Sequence, residues 1–430
     1  KILRERFIEI IELTAPEGTD ERIKYESMLA GLANYAKNFT SMIEFYGKST
    51  MLDDRKRRQA ELANWIDQSA ERQATYGKTL ATLDMLIQES QAHKARDLIV
   101  GYMRYTTMLP TATRLYRLAN EKLLDDMERE SGYQTRDMTR FKSGMERIDR
   151  RYAASVEKAL LFEMLKRYSA LPMDERFSEF DKVFKLGKTF NGAKLRRTLD
   201  RMYSKTKLNE LDVRLAWMDK SVEEFKASRD PFIQYAVAMY DTNMEQERDD
   251  KELAGKLMKV RPLYMQAIIA FNRDQGKPVY ADANSSLRVA VGHVKGYSPQ
   301  DGLRAEPFTR LEGILAKDSG DDPFDSPKKQ LELIKQKQYG DFYVKEIDSV
   351  PVNFLSTLDS TGGNSGSPTL NGRAELVGLL FDGVYESIIA DWGYDDDTNR
   401  SIQVDSRYML WVMKYLDKAD RLLEEMEVVN

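Results

Sequence analysis

The sequence predicts a multidomain α+β protein, in which an all-α domain over residues 1–280 precedes a β-rich domain over residues 281–430. Residues 1–275 contain 10 glycines and 5 prolines, whereas residues 276–430 contain 14 glycines and 7 prolines in little more than half the length. Apolar residues recur at helical spacing in the first part and shift toward a period of two in the second. With 430 residues and 42% hydrophobic content, the chain can fill the core of each domain.

The stretch that follows Pro16 shows how the first part predicts helices. Thr19 is a suitable N-cap residue, and Asp20 and Glu21 favour the first turn. Gly47 is the expected end of this helix. The apolar residues that recur at helical spacing between these limits are Met28, Leu29, Leu32, Tyr35, Phe39, Met42, Ile43 and Tyr46. The breakers between further helices, which we expect to form an antiparallel array, are Gly77, Leu109-Pro110, Gly132-Tyr133, Leu171-Pro172, Asn191-Gly192 and Asp230-Pro231.

The second part predicts strands and turn-rich loops. Leu287, Val289 and Val291 alternate with less apolar neighbours, which favours a half-buried strand. Residues 375–381 form an apolar run that is typical of a largely buried strand. One helix is expected at about residues 327–337, and a continuous amphipathic helix at about residues 406–425 is expected to close the chain.

Composition excludes several classes of partner. Lys+Arg 66 against Asp+Glu 70 gives a net charge of −4, so we expect neither nucleic-acid nor membrane binding through a general basic field. The basic run 55–58 is expected to be a solvated helix face. Without cysteine, and without histidines paired at ligand spacing, the chain is expected to hold no metal and no cofactor.

The sequence shows neither a membrane-spanning run nor a signal-peptide pattern at its start. No apolar run approaches the roughly 20 residues of a membrane span. The first residues, 1–4, show neither an initiator methionine nor a signal-peptide pattern. We therefore expect the chain to begin within a longer protein.

The segment 362–368, Gly-Gly-Asn-Ser-Gly-Ser-Pro, holds a serine between glycines. This pattern resembles the nucleophile loop of chymotrypsin-like serine proteases. If Gly363 adopts a positive φ, its backbone amide and that of Ser365 can converge on one point, where an oxyanion would be stabilised. The alternative is a Gly/Ser-rich hairpin loop without reactivity.

The expected partners of Ser365 are missing. In chymotrypsin-like proteases the histidine and the aspartate precede the serine along the chain. His93 lies in a predicted helix, and His293 shares the parity of the predicted strand at 287–291, so we expect both to be structural.

The length of the second part fits only one of two barrels. A two-barrel protease needs roughly 200 to 250 residues of strand and loop, whereas 155 residues follow residue 275. We therefore expect the C-terminal β-barrel half of a chymotrypsin-like double-barrel protease. The general base and its orienting aspartate are then expected upstream of Lys1.

The resemblance extends over nearly the whole chain. Segments 294–299 (Val-Lys-Gly-Tyr-Ser-Pro), 361–368 and 380–383 (Leu-Phe-Asp-Gly) resemble bacterial serine dipeptidyl aminopeptidases of the dipeptidyl aminopeptidase BII type. In that family a large helical domain is inserted between two barrels. The resemblance implies release of dipeptides from peptides with a free N-terminus, a periplasmic or secreted location and a homodimer.

The resemblance also assigns substrate-binding residues. It implies that Asp382 and Asn38 accept hydrogen bonds from the substrate α-ammonium group. Gly383 is expected to leave open the pocket for the side chain before the scissile bond and to favour a hydrophobic or aromatic residue, since acid-preferring relatives resemble this family except for an arginine there. The alternatives are an exposed helical asparagine for Asn38 and a strand-end turn for Asp382 and Gly383.

Three functional hypotheses stay open on the sequence. The first is a serine dipeptidyl aminopeptidase whose 430-residue chain alone is inactive. The second is a non-catalytic helical binding or scaffold module with a silent β-domain. The third is a self-contained hydrolase that uses His293 as its base.

Overall fold

The computed structural model describes residues 1–279 and 285–429. The chain divides into two compact units, one formed by Lys1–Ala36 and Gln59–Val279, the other by Lys37–Arg58 and Tyr280–Asn430. The predicted boundary between residues 280 and 281 lies outside the described residues. Residues 37–58, which the sequence places in the helical domain, group with the second unit.

Helices make up the first unit, and no strand occurs in it among the described residues. Two of these helices are shared with the second unit, because α2 ends and α3 begins within residues 37–58. The helices in chain order are α1 Ile2–Thr14, α2 Asp20–Lys48, α3 Met51–Asp67, α4 Ala70–Tyr76, α5 Thr79–Gln91, α6 Lys94–Tyr102, α7 Met108–Glu121, α8 Met138–Glu146, α9 Ala154–Tyr168, α10 Ser178–Phe184, α11 Gly192–Lys205, α12 Leu211–Trp217, α13 Val222–Ala227 and α14 Pro231–Asp274.

Local signals explain where several helices begin. The Arg22 N–H donates to Thr19 Oγ1 at 3.2 Å, which confirms the predicted cap of α2. The Phe232 N–H donates to Asp230 Oδ1 at 2.9 Å, so that Asp230-Pro231 begins α14. The predicted break at Leu109-Pro110 is wrong, because Pro110 lies in the first turn of α7, where a proline N–H is not needed.

Glu157, on α9, is fully buried in the helical core, and its carboxylate lies at the start of α7. Its carboxylate accepts hydrogen bonds from the Thr107 and Met108 N–H groups, the second at 3.4 Å, and from the Tyr203 hydroxyl at 3.0 Å. These donors stabilise the anion, but burial dominates and raises the pKa of Glu157 to about 8.

The second unit contains two antiparallel sheets. Strands β1 and β2 form a pair, and five strands form a sheet in the order β3-β4-β7-β6-β5. The edges of the larger sheet, β3 and β5, do not pair with each other among the described residues, so the predicted barrel stays a prediction. The strands are β1 Tyr297–Gln300, β2 Leu303–Ala305, β3 Phe308–Arg310, β4 Pro351–Ser356, β5 Pro368–Leu370, β6 Leu376–Gly383 and β7 Ser401–Asp405.

Short helices pack beside the larger sheet. The predicted strand at 375–381 and helix at 327–337 are confirmed as β6 and α16, but the expected burial of the strand is wrong, because only Gly378 and Leu380 of β6 are buried. A small core forms around Trp411, which is fully buried and donates from its indole N–H to the Gln338 carbonyl at 2.6 Å. The helices of this unit are α15 Leu311–Lys317, α16 Lys328–Lys335, α17 Ser406–Trp411 and α18 Asp420–Glu424.

Two predicted elements of the second unit are wrong. Leu287, Val289 and Val291 form no strand and are 94%, 81% and 85% exposed, because no partner strand covers this alternating pattern in the described part of the chain. The closing helix is not continuous: a π-helical turn, Val412–Leu416, follows α17, and Lys418 takes a left-handed φ of 57° before α18 begins. Helical spacing of apolar residues does not show such an interruption.

The described residues lack two features. No helix among them combines the length and the apolar character that crossing a membrane requires. No group of three or more His, Cys, Asp or Glu side chains within residues 1–279 and 285–429 is arranged to hold a metal ion.

The buried Glu157 predicts a pH-dependent stability of the helical unit. Since its folded pKa lies above its unfolded value of 4.5, the folded state keeps a proton that the unfolded state loses, and stability falls as the pH rises from about 4.5 to about 8. The contribution is about 1.4 kcal/mol per pH unit. Glu157→Gln should flatten this slope in urea unfolding followed by helical circular dichroism.

The exposed Glu128 offers a matched control. Glu128→Gln should retain the wild-type dependence of unfolding free energy on pH. Equal slopes for wild type and Glu157→Gln between pH 5.5 and 7.5 would show that the buried carboxyl keeps its ordinary pKa.

Candidate active site

Ser365 lies in the loop that joins β4 to β5, and its side chain is exposed. The loop is attached to β6 by two backbone hydrogen bonds: the Gly366 N–H donates to the Leu380 carbonyl at 2.7 Å, and the Leu380 N–H donates to the Ser367 carbonyl at 3.0 Å. The Ser365 hydroxyl donates a long hydrogen bond of 3.4 Å to the Phe381 carbonyl. The loop therefore presents the hydroxyl to solvent beside the second half of β6.

Glycines give this loop its sharp turns. Gly363 has a φ of 103° and Gly366 a φ of 85°, which confirms the positive φ predicted for Gly363. A Cβ atom at either position would meet nothing within 4 Å, so conformation rather than space requires glycine there. Within the described residues, the backbone N–H groups of Gly363 and Ser365 have no hydrogen-bond acceptor. Both donors are therefore available to a bound group.

Side chains on either side fix the loop. The Thr361 N–H donates to Asn364 Oδ1 at 3.1 Å, and the Asn364 N–H donates to the Thr361 carbonyl at 3.2 Å. The Thr361 hydroxyl donates to Asp391 Oδ1. The Ser360 and Ser401 hydroxyls lie 2.5 Å apart, which ties the residue before Thr361 to β7.

Asp382 and Gly383 end β6, beyond an irregularity in its pairing with β7. Asp382 is exposed, and its Oδ1 accepts a hydrogen bond from the Gly383 N–H at 2.8 Å. No ion pair joins Asp382 to any residue that the structure describes. A Cβ atom added to Gly383 would lie 3.4 Å from the Ser387 Cβ and 3.7 Å from the Arg400 carbonyl oxygen, which are ordinary van der Waals contacts.

Arg400 is buried behind this part of the sheet with only 1% of its surface exposed. Its guanidinium donates to four backbone carbonyls, with N···O distances from 2.6 to 3.3 Å. Nearby, the Tyr297 hydroxyl donates to Glu386 Oε2 at 2.8 Å, and burial together with this hydrogen bond raises the pKa of Tyr297. The acceptors of Arg400 are the carbonyls of Lys295, Gly296, Asp396 and Asn399.

Asn38 belongs to the second unit and is half-buried on α2. Ser41, three residues later on the same helix, donates from Oγ to the Tyr385 carbonyl at 2.8 Å. Tyr385 follows Gly383 by two residues, so one turn of helix separates Asn38 from a contact with the chain that leaves β6. No hydrogen bond joins Asn38 to Asp382 in the described part of the protein.

Neither histidine contacts the serine loop as a base would. His293 is exposed, and only its backbone is paired, its N–H donating to Thr357 Oγ1 at 3.0 Å. Among the residues that the structure describes, the hydroxyl of Ser365 bonds only to the Phe381 carbonyl. His93 lies in the first unit, at the residue before α6. The expected strand position of His293 is wrong, because no strand forms at 287–293.

Some contacts near the site had no signal in the sequence. Arg55 is exposed, as predicted for the basic run, and it also donates from Nε to the Trp392 carbonyl at 3.1 Å, a contact that the sequence did not predict. The two residues are 337 positions apart. The contact between Thr361 and Asp391 was likewise missed, since 30 residues separate them.

Ser365 is thus an exposed serine beside two amide donors that the described residues leave unused, in a loop with left-handed glycines. The profile of the Peptidase S46 family matches residues 1–428, and the chain belongs to that family. The expectation of a dipeptidyl peptidase family is confirmed at this level, whereas the BII type stays a prediction.

Similar proteins include two groups of bacterial enzymes. The chain is 39% identical to an Asp/Glu-specific dipeptidyl-peptidase from Shewanella putrefaciens over 98% of its own length and 60% of that protein. It is 29% identical to dipeptidyl-peptidase 7 from Porphyromonas endodontalis over 95% of its length and 48% of that protein. The chain therefore spans about half to three fifths of these relatives.

A crystal structure of Porphyromonas endodontalis DPP11 has the same fold. It superposes with a TM-score of 0.73 at 23% identity, over 99% of this chain and 60% of that one. A second crystal structure of the same protein, in an alternate conformation, superposes with a TM-score of 0.58.

The left-handed φ of Gly363 predicts a specific cost for a side chain there. Gly363→Ala should destabilise the protein by about 1–2 kcal/mol, because an L-residue is strained at this φ. Thermal unfolding of the second unit measures this cost. Gly372→Ala is the matched control, since Gly372 also has open space around its Cβ position but no positive φ, and it should change stability much less. Equal effects of the two substitutions would contradict the assigned loop geometry.

Proposed function

We propose that this chain is part of a serine dipeptidyl peptidase that releases dipeptides from peptides with a free N-terminus. The observation that carries the proposal is the exposed Ser365 hydroxyl next to the unbonded amides of Gly363 and Ser365. Membership of the Peptidase S46 family and the names of the relatives support the same activity.

The proposed chemistry is acyl transfer to Ser365. The hydroxyl attacks the carbonyl carbon of the second residue of the peptide and gives its proton to a general base. The Gly363 and Ser365 amides stabilise the resulting oxyanion. Each such donor contributes about 2.7–4 kcal/mol in the transition state. The peptide amine then leaves with a proton, and water hydrolyses the acyl-enzyme without a metal or organic cofactor.

The general base is proposed to lie in the part of the relatives that this chain does not span. The imidazole of His293 forms no hydrogen bond with the described residues, and 40% of the Shewanella relative falls outside the match. A histidine and its orienting aspartate from that part would complete the site, with a second barrel as in chymotrypsin-like proteases.

Asp382 and Asn38 are the proposed acceptors for the substrate α-ammonium group. Asp382 is exposed and keeps one carboxylate oxygen unused by the residues described, so it can accept a charge-assisted hydrogen bond. The contact of Ser41 with Tyr385 supports a position of Asn38 near the end of β6. A carboxylate and an amide oxygen together favour a free N-terminus over a blocked one.

Gly383 supports a hydrophobic or aromatic residue before the scissile bond, as in enzymes of the BII type. The space over Gly383 is bounded by the Ser387 side chain and the Arg400 backbone, and the Arg400 guanidinium is already engaged by four carbonyls. Neither of these two described neighbours therefore offers a cation to a substrate carboxylate. The name of the Shewanella relative favours a second candidate, cleavage after aspartate or glutamate.

A periplasmic or secreted location and a homodimer are proposed from the resemblance to dipeptidyl aminopeptidases alone. Both concern the whole peptidase. Cell fractionation and the mass of the purified enzyme in solution test them.

Ser365→Ala should abolish dipeptide release by the full-length enzyme, with kcat lower by about 10⁴-fold or more, because the acyl-enzyme cannot form. Chromogenic dipeptide reporters measure the release. The remote surface substitution Ser326→Ala should leave it intact. Reporters with an acetylated N-terminus should not be cleaved, since they lack the ammonium group that Asp382 and Asn38 are proposed to bind.

Labelling with a fluorophosphonate distinguishes the remaining hypotheses. The 430-residue chain alone should react slowly at Ser365, because a serine without its base is a weak nucleophile. Rapid labelling of that chain, lost in His293→Ala, would instead support a self-contained hydrolase. Failure of the full-length enzyme to cleave any dipeptide reporter would support a binding or scaffold module.

Gly383→Arg should change the preference of the enzyme from hydrophobic to acidic residues before the scissile bond. The expected result is a fall in kcat/KM for leucine and phenylalanine reporters and a rise for aspartate and glutamate reporters, because the new guanidinium can pair with a carboxylate. Gly383→Ala, which adds volume without charge, should lower kcat/KM for the leucine and phenylalanine reporters without raising it for the aspartate and glutamate reporters. If wild type already cleaves acidic reporters best, the hydrophobic preference is wrong.

A further inference from the structure

Residues 37–58, which we call the hairpin tip, pack on a short segment that follows β6. We call that segment, residues 385–393, the wall segment. It consists of a 3₁₀ turn, Tyr385–Ile389, and a second turn closed by the Trp392 N–H, which donates to the Ile389 carbonyl at 2.8 Å. The wall segment begins two residues after Gly383, so its position determines where β6 ends.

The first contact holds the start of the wall segment. Ser41 is fully buried and donates to the Tyr385 carbonyl at 2.8 Å. The Phe45 ring meets the Tyr385 ring edge-on, with centroids 5.7 Å apart. From the sheet, the Arg400 carbonyl accepts a hydrogen bond from the Val384 N–H at 2.9 Å. The chain that leaves Asp382 and Gly383 is therefore held from two directions.

The second contact holds the end of the wall segment. Arg55 donates from Nε to the Trp392 carbonyl at 3.1 Å, and the Tyr46 ring meets the Trp392 ring at 6.2 Å between centroids. The residue before Trp392 is Asp391, which accepts the hydroxyl hydrogen bond of Thr361.

Thr361 belongs to the serine loop and is bonded to the residue next to the nucleophile. Its N–H donates to Asn364 Oδ1 at 3.1 Å, and Asn364 directly precedes Ser365. A continuous series of contacts therefore runs from Arg55 through the wall segment to the loop of Ser365. The contact of Ser41 ends instead at Tyr385, two residues after Gly383 and three after Asp382.

We propose that the hairpin tip positions both parts of the active site through the wall segment. Ser41 positions Asp382, the acceptor for the substrate N-terminus, and Arg55 positions the loop of Ser365. Both are positioning residues, because each acts through the wall segment. The inference rests on the proposed peptidase function. It adds that the contact of Ser41 controls substrate binding, whereas the contact of Arg55 controls acylation.

Kinetics of the full-length enzyme with a free N-terminus dipeptide reporter test this separation. Ser41→Ala should raise KM about five- to tenfold with kcat unchanged, because the lost hydrogen bond loosens only the anchor for the substrate. Arg55→Ala should lower kcat by a similar factor with KM nearly unchanged. The rate of fluorophosphonate labelling at Ser365 should fall in Arg55→Ala and stay at the wild-type value in Ser41→Ala.

Neighbouring residues of the hairpin tip provide matched controls. Ser49→Ala and Lys56→Ala should leave KM, kcat and labelling at wild-type values, since the Ser49 hydroxyl bonds only locally, to the Tyr46 carbonyl. Ser41→Thr keeps the hydroxyl and should restore KM, and Arg55→Lys keeps a charged donor and should recover part of kcat. Melting temperatures close to wild type should accompany all of these results.

Two results would overturn the inference. One is that Ser41→Ala has the same KM as Ser49→Ala, or that Arg55→Ala has the same kcat as Lys56→Ala. The other is that both variants lose kcat and gain KM in the same proportion, as a general loss of structure would cause. Wild type and Ser365→Ala are assayed in parallel. If wild type releases dipeptides and Ser365→Ala does not, the proposed function holds, and either of the two results above then counts against the positioning roles alone.

Discussion

The attachment of the serine loop to β6 is the interaction on which the site depends. Two backbone hydrogen bonds join Gly366 and Ser367 to Leu380, one in each direction. They place the Ser365 hydroxyl beside the carbonyl of Phe381, one residue before Asp382. Because backbone groups form these hydrogen bonds, side chains of the loop can be substituted without loss of its attachment to β6. Ser365, through its loop, and the proposed anchor for the substrate are therefore both held by β6.

Local patterns in the sequence predicted local structure well. The cap at Thr19, the strand β6 and the positive φ of Gly363 each follow from a few neighbouring residues, and all three are present. The prediction was wrong at 287–291, where an alternating pattern finds no partner strand in the described residues. It also missed the contact of Arg55 with Trp392, since spacing along the chain carries no information about residues 337 positions apart.

The residue at position 383, at the end of β6, is the proposed determinant of the side-chain preference. An arginine beside Asp382 would offer its guanidinium to a substrate carboxylate, whereas Gly383 offers only space. The relatives with matching sequence bear names from both groups, so overall identity is a poor guide to the preference of this chain. The local environment of Gly383 is more informative, because binding of a buried carboxylate requires a partner cation.

Arg400 ties distant parts of the second unit together. Its guanidinium bonds to the carbonyls of Lys295 and Gly296, which precede it by more than a hundred residues, and to those of the turn just before it. Until these segments meet, the charge would remain hydrated, and its burial can occur only once all the acceptors are in place. Burial of Arg400 therefore comes late in folding, after chain segments more than a hundred residues apart have met, and it cannot begin from a local hairpin alone.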